Sequence, residues 1–175
     1  MSFDLKNIPA VRLVPGLVLA VSLGALALAY GSQYWGGLAP CVLCFYQRAA
    51  YGAVILFAAA ALACALKDKK KAARMLTGFC ALGFLAGAGI AFYHLGVEQH
   101  WWTGTEGCVD AAAVSAQTVE ELRAQLLAAP VVPCDEVAWS LFGVSMAGYN
   151  AVVSLALAAA TTAGLRLMRE EEMSW

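Results

Sequence analysis

Residues 41–71 read CVLCFYQRAAYGAVILFAAAALACALKDKKK, and this stretch decides the fold of the chain. The 18 residues between Arg48 and Lys67 carry no charge, and a group of lysines ends the run. The hydrocarbon core of a bilayer is about 30 Å thick and needs about 20 apolar residues of helix. The stretch therefore predicts a membrane-spanning helix from Val42 to Leu66.

Comparable charge-free runs lie on both sides of this helix. The run between Arg12 and Arg48 is too long for one span, and Gly36, Gly37 and Pro40 predict a turn within it. Two later runs are each long enough for one span. The four predicted spans are Leu13–Tyr34, Val42–Leu66, Leu76–Tyr93 and Gly143–Leu165. The predicted fold is an all-α membrane protein, a four-transmembrane-helix bundle that forms a single domain over residues 1–175.

The composition of the 175-residue chain excludes several other classes of protein. Apolar residues make up 62% and charged residues 13%, with a mean hydropathy of +0.71. Globular proteins have about 45–50% apolar and about 25% charged residues, so intrinsic disorder and a coiled coil are not expected. A net charge of -1 provides no basic surface for phosphates, so we expect no nucleic-acid binding. Apolar and polar residues nowhere alternate over several segments, which argues against a β-barrel.

The positions of the basic residues predict the orientation of the bundle. All but Arg48 and Arg123 of the 11 Lys and Arg residues precede the first span, join the second to the third, or follow the fourth. Lys and Arg accumulate on the cytoplasmic side, so both termini are predicted to be cytoplasmic. Ala25-Leu26-Ala27 resembles a signal-peptidase site, but the apolar stretch exceeds the usual signal core of about 7–15 residues. We expect the first helix to be retained.

The segment 95–142 then lies on the outer side and is the main polar region. Within it, Thr118–Ala128 places Val119, Leu122 and Leu126 at helical spacing, and Thr118 with Glu121 forms a capping-box pattern. We predict a short amphipathic helix that lies on the outer membrane surface. A surface helix packed on the loop itself fits the same pattern equally well.

The six cysteines divide by their predicted side of the membrane. Cys41 and Cys44 lie at the outer end of the second helix, and Cys108 and Cys134 lie in the outer loop. Cys64 and Cys80 lie within helices toward the cytoplasmic side, where we expect them to act as small apolar residues. Disulfides persist in oxidising compartments and not in the cytosol. The four outer cysteines are therefore the candidates for redox chemistry.

Cys41 and Cys44 form a C-x-x-C motif that opens a helix directly after Pro40. The helix N-terminus and the cation of Arg48, which shares their helix face, favour a thiolate here. A zinc site is the alternative, with Cys108 and Cys134, or His94 and His100, as further ligands. Those residues lack compact ligand spacing, so we predict no metal site.

Arg48 lies inside an apolar helix, where a charge is costly and by default functional. A side chain near a helix end can also simply extend to the interface. A functional Arg48 requires a partner with a polar oxygen or an anionic group near the outer membrane boundary.

Cys108 and Cys134 are 26 positions apart and suit either a structural bridge of about 3–4 kcal/mol or an exchangeable redox pair. Carboxylates flank both sulfurs and disfavour a thiolate there, whereas Arg48 favours one at the helix. The pair with the better stabilised reduced form is the stronger oxidant. We therefore predict that a Cys41–Cys44 disulfide oxidises the Cys108/Cys134 dithiol.

Three local sequences together resemble the DsbB family. They are CVLCFYQR at 41–48, YHLGVEQ at 93–99 and PCDEVAWSLFGVSM at 133–146, combined with four helices and two loop cysteines. The resemblance implies a membrane thiol:quinone oxidoreductase of the bacterial inner membrane, with its redox cysteines in the periplasm. It also implies that the chain reoxidises a DsbA-like periplasmic thiol oxidase and passes electrons to the membrane quinone pool and respiratory chain.

The same resemblance implies a role for each site residue. The partner would form a mixed disulfide through Cys108, Cys134 would exchange with Cys41, and Cys44 would face the quinone. Arg48, His94 and Met146 would bind the quinone, which would be ubiquinone or menaquinone. An interfacial role for His94 and ordinary packing for Met146 are the alternatives.

Three other functional classes compete with this interpretation. A scaffold protein would keep two structural disulfides intact when it meets a reduced thioredoxin-like partner. A transporter would need polar groups or broken helices near the midplane, where the sequence has mainly Ala, Leu, Val and Gly. An enzyme of the vitamin K epoxide reductase type would share the four helices and the C-x-x-C motif.

Overall fold

The structure is a computed structural model that describes residues 9–105, 108, 118 and 133–173. Four long helices account for most of these residues: α1 is Ala10–Tyr34, α2 is Val42–Leu66, α3 is Lys70–Glu98 and α4 is Met146–Met173. Each contains a stretch that is long and apolar enough to cross a bilayer. The prediction of an all-α bundle with four membrane-spanning helices is confirmed.

The helices alternate in direction, as contacts at one end of the bundle show. The backbone N–H of Ala10 donates to both carboxylate oxygens of Glu171 at 2.9 Å, which joins the start of α1 to the end of α4. Arg12 forms a 3.5 Å ion pair with Asp68, in the link between α2 and α3. We call this the lysine end, because Lys67 and Lys69–Lys71 lie there.

Small side chains allow the helices to approach closely in the middle of the bundle. Val54, Ala58 and Cys80 are completely buried there. Phe84 of α3 packs edge-on against Tyr51 of α2, with ring centroids 5.9 Å apart. The core therefore joins α2 and α3 and continues to α1 and α4 through residues such as Val18 and Ala158.

Three helices differ in length from their predicted spans, and the smallest difference is in α1, which begins at Ala10 instead of Leu13. α2 has the predicted bounds, but α3 begins at Lys70 instead of Leu76 and ends at Glu98 instead of Tyr93. At its N-terminal end the helix continues past the apolar segment because the long side chains of Lys70, Lys71 and Arg74 can extend into the polar region of the membrane. Similarly, α4 continues beyond Leu165 to Met173.

A short hairpin precedes α4 where the sequence predicted helix from Gly143. Strands β1 (Ser140–Leu141) and β2 (Val144–Ser145) pair antiparallel. Phe142 and Gly143 have φ angles of 50° and 79°, the left-handed conformation of a tight hairpin turn, which glycine adopts without steric cost. α4 begins three residues later, at Met146, and the Ser145 hydroxyl caps it by accepting the N–H of Gly148 at 3.1 Å.

The predicted amphipathic helix at Thr118–Ala128 lies outside the described residues, except for Thr118 itself.

Candidate functional site

The four cysteines predicted to be redox-active meet at the other end of the bundle, which we call the cysteine end. Cys108 and Cys134 form a disulfide, and their side chains are 3% and 0% exposed. They share one buried cluster with Cys41 and Val97, and Cys44 packs against it. The structure thus brings together two pairs of cysteines that are far apart in the sequence.

Cys41 and Cys44 are free thiols whose Sγ atoms lie 3.0 Å apart. Cys41 caps the N-terminus of α2, because its Sγ accepts the backbone N–H of Cys44 at 3.4 Å. The contact with the Cys44 thiol, followed by burial, raises the pKa of Cys41 above the usual range of a thiol. Cys41 therefore keeps its proton in this dithiol state.

The other two cysteines lie away from this cluster. Cys64 packs against the cluster at the lysine end, and Cys80 is fully buried in the middle of the bundle. The Cys80 thiol donates to the carbonyl of Leu76, four residues earlier in α3, at 3.4 Å. These positions agree with the small apolar role expected for both residues.

His94 lies against the Cys41 sulfur. Its Nε2 is 3.5 Å from Cys41 Sγ and 3.8 Å from Oε1 of Glu98, one helical turn further along α3. Its Nδ1 is 2.9 Å from Nε2 of Gln47. His94 is only 5% exposed, and the other carboxylate oxygen of Glu98 accepts the Ser145 hydroxyl. The ring is therefore fixed by protein groups on both sides.

A line of polar side chains continues from His94 into the bundle. Gln47 Oε1 accepts from Nδ2 of Asn150 at 2.5 Å, and Asn150 Oδ1 accepts from the Tyr51 hydroxyl at 3.0 Å. Ser154 donates to the same Asn150 oxygen at 3.2 Å. None of these polar residues was predicted from the sequence to belong to the site, although Gln47 lies directly before Arg48 in the C-x-x-C segment.

Arg48 is held against α1. Its Nη1 donates to Oε1 of Gln33 at 2.5 Å and its Nη2 to the carbonyl of Ala29 at 3.1 Å. The guanidinium also lies 4.8 Å from the ring centre of Tyr30 and 5.6 Å from that of Phe45, within cation–π range. The side chain is fixed within the protein, whereas simple extension to the interface would leave it in the headgroup region.

A cavity of about 300 Å³ lies beside these residues, between α1, α2, α4 and the end of α3. Its apolar walls include Ala25, Leu26, Leu28, Ala29, Ala147 and Val153. Its polar lining includes Gln47, Arg48, His94, Glu98 and Asn150. Cys41, Cys44 and Met146 also border it. The residues predicted to bind quinone and the C-x-x-C pair thus surround one mostly apolar cavity with a few convergent polar groups, which is typical of a small-molecule site.

Three of the residues named for the alternative zinc site lie close together. The ligand atoms of Cys41, Cys44 and His94 all lie within 4.8 Å of one another. Cys108 and Cys134 are bonded to each other and so are not available as metal ligands. His100 lies in the exposed turn that follows α3.

Comparison with known proteins identifies the family. Residues 11–164 match the family described as "Disulfide bond formation protein DsbB". "Uncharacterized protein RP370" of Rickettsia prowazekii (strain Madrid E) is 24% identical over 149 residues, which cover 81% of this chain and 80% of that protein. No solved structure matches the chain. The chain therefore belongs to the DsbB family of membrane oxidoreductases, which act on thiols in disulfide-bond formation.

Proposed function

We propose that the chain oxidises a DsbA-like periplasmic thiol oxidase and passes the electrons to a membrane quinone, ubiquinone or menaquinone. One observation carries this proposal. A buried disulfide, Cys108–Cys134, packs in one cluster with a second cysteine pair, Cys41 and Cys44, which itself borders an apolar cavity containing Arg48. This order of groups supports transfer from a protein dithiol at one side to a small acceptor at the other.

The first half of the proposed reaction transfers the loop disulfide to the partner. A partner thiolate attacks Cys108, the Cys108–Cys134 bond breaks, and Cys134 leaves as a thiolate. The second thiol of the partner then attacks the mixed disulfide, which releases oxidised partner and the Cys108 thiolate. The partner has lost two electrons, and the loop pair has gained them.

The second half of the proposed reaction re-forms the Cys108–Cys134 disulfide and reduces a Cys41–Cys44 disulfide. The Cys134 thiolate attacks Cys41, and Cys44 leaves as a thiolate beside the cavity. Cys108 then attacks Cys134, which re-forms the loop disulfide and releases Cys41 as a thiolate. The shared buried cluster of Cys41, Cys108 and Cys134 supports this order, because exchange needs direct contact between sulfurs.

The residues around the cavity fit a quinone ring. When bound, a quinone supplies an acceptor for two electrons and two protons. Apolar side chains, including Met146, would hold the ring, and the N–H donors of Arg48 that are not bonded to Gln33 or Ala29 can reach a carbonyl oxygen. The same cation stabilises the negative charge of a Cys44 thiolate, and His94 also lines the cavity.

We further propose that the protein lies in the bacterial inner membrane as one domain, with both termini in the cytoplasm. The concentration of Lys and Arg at the lysine end supports this orientation. It places the cysteine end in the periplasm, where disulfides persist.

A trapping experiment tests the thiol half of the reaction. A reduced DsbA-like protein that retains only its nucleophilic cysteine is mixed with the oxidised full-length chain, and the adduct is mapped by mass spectrometry. The expected product is a mixed disulfide at Cys108, unchanged in the Cys64→Ser control. Intact bridges after mixing would support a scaffold with structural disulfides instead, and an adduct at Cys41 or Cys44 would contradict the proposed order.

A further inference from the structure

We propose that a directed chain of hydrogen bonds from Tyr51 through Asn150 and Gln47 holds His94 with its proton on Nε2. His94 then donates this proton in a hydrogen bond to Cys41 and stabilises Cys41 as a leaving thiolate. In this arrangement Gln47 and Asn150 are positioning residues, and His94 contacts the reacting sulfur. The inference deepens the proposed function and rests on it for the exchange step.

The hydrogen bonds of the chain run in one direction, from Tyr51 to His94. The Tyr51 hydroxyl donates to Oδ1 of Asn150 at 3.0 Å, so Nδ2 of Asn150 faces Gln47 and donates to its Oε1 at 2.5 Å. The oxygen of Gln47 is then occupied, and its Nε2 faces Nδ1 of His94 at 2.9 Å. An amide nitrogen can only donate, so Nδ1 must accept, and the neutral ring carries its proton on Nε2.

The groups on the other side of the ring lead to the same tautomer. Nε2 faces Cys41 Sγ at 3.5 Å and lies 3.8 Å from Oε1 of Glu98, a carboxylate oxygen that can only accept, and the Cys41 sulfur becomes a strong acceptor when it leaves as a thiolate. The backbone carbonyl of Cys134 is a further acceptor for the ring. The Ser145 oxygen accepts the N–H of Gly148, so the Ser145 proton is directed to Glu98. The donor at Nδ1 therefore selects the Nε2–H form, and the negative charge of Glu98 near Nε2 favours the same form.

This tautomer acts in the step that releases Cys41. Cys108 attacks Cys134 in the Cys41–Cys134 mixed disulfide, the bond between those two sulfurs breaks, and both of its electrons remain on Cys41. Cys41 is only 5% exposed, so water provides little stabilisation for the new charge. A hydrogen bond from Nε2–H of His94 to the charged sulfur supplies it from a fixed position.

The tautomer can be measured directly in the full-length protein. The chain has only two histidines, so 15N-histidine labelling gives two imidazole patterns, and His100→Gln assigns them. The expected result is a neutral His94 with a protonated Nε2 and a bare Nδ1. A proton on Nδ1 of neutral His94 would overturn the inference, whether or not the protein reduces quinone.

The positioning role is tested by Gln47→Leu and Asn150→Leu, each examined by the same labelling and by quenched alkylation of quinone-free protein. Both variants should lose the single Nε2–H form and re-form the loop disulfide about tenfold more slowly, the loss of one hydrogen bond to a charged group. The control is Thr161→Val, which removes a buried hydroxyl from α4 outside the chain.

The outcomes separate the inference from the proposed function. Normal trapping of the partner at Cys108 together with slow exchange in Gln47→Leu supports the inference. Unchanged exchange rates in both variants would overturn it while leaving the proposed function intact. Absence of exchange in the unaltered protein would instead defeat the proposed function, together with the leaving-group role.

Discussion

Arg48 donates a hydrogen bond from Nη1 to Oε1 of Gln33, 2.5 Å away, and so joins α2 to α1 beside the cavity. A second bond, from Nη2 to the carbonyl of Ala29, fixes the plane of the guanidinium. Both contacts come from α1, so the first helix determines where the cation points. We draw two predictions from these contacts, both about the step in which electrons pass to the quinone.

Replacement of Gln33 should weaken quinone use without affecting thiol exchange. In Gln33→Leu the guanidinium loses one of its anchors, so we expect the KM for quinone to rise several-fold. The rate of mixed-disulfide formation at Cys108 should stay unchanged. Steady-state kinetics with varied quinone measure the first effect, and Ser22→Ala, elsewhere in α1, is the matched control. An unchanged KM would show that Gln33 does not position Arg48 for binding.

Arg48→Lys keeps the charge but loses the planar set of donors. The single ammonium nitrogen of a lysine cannot reproduce the geometry in which two nitrogens of Arg48 bond Gln33 and Ala29 while other N–H groups remain for the cavity. We expect kcat/KM for quinone to fall about tenfold to a hundredfold, which corresponds to hydrogen bonds of about 1.5–3 kcal/mol to a charged group. Lys71→Met, at the lysine end, removes a charge remote from the cavity and should have no effect. Full activity in Arg48→Lys would mean that charge alone is sufficient.

The close packing of α2 and α3 predicts a difference between two glycines of α3. A Cβ atom at Gly83 would lie 2.6 Å from Cγ2 of Val54, whereas one at Gly78 would meet nothing within 4 Å. Gly83→Ala should destabilise the bundle by about 1–3 kcal/mol through overpacking. Gly78→Ala should be neutral or stabilising by up to about 1 kcal/mol, from helix propensity. Thermal unfolding in detergent, followed by circular dichroism, compares the two, and equal midpoints would contradict the packing.

The orientation of the bundle is tested by reporter fusions. Alkaline phosphatase, which is active only in an oxidising compartment, is fused after Lys69 at the lysine end or after His100 at the cysteine end. Activity is expected for the fusion after His100 and not for the one after Lys69. The reverse pattern would place the four redox cysteines in the cytosol and exclude a periplasmic partner.

The helices could be predicted from sequence because charge is so scarce in this chain. Gaps between charged residues locate all four spans, and α2 has the predicted bounds. The hairpin before α4 could not be found in this way, since Trp139–Met146 contains no charge that would separate it from the helix. The positive φ angles of Phe142 and Gly143 decide that turn, and they depend on local backbone packing.

The candidate site was partly predictable for a related reason. Cysteines and an arginine inside an apolar chain are conspicuous, so Cys41, Cys44 and Arg48 could be selected directly. The amides of Gln33, Gln47 and Asn150 carry no charge, and only the packing of α1 and α4 against α2 reveals their contacts.

Anaerobic quinone reduction, followed by absorbance after addition of a reduced DsbA-like protein, tests the proposed function most directly. We predict one quinone reduced for each partner dithiol oxidised by the unaltered chain. Turnover should be lost in Cys44→Ser and in Cys108→Ser and be retained in Cys64→Ser. Undiminished turnover in both Cys44→Ser and Cys108→Ser would contradict transfer of electrons through the two cysteine pairs.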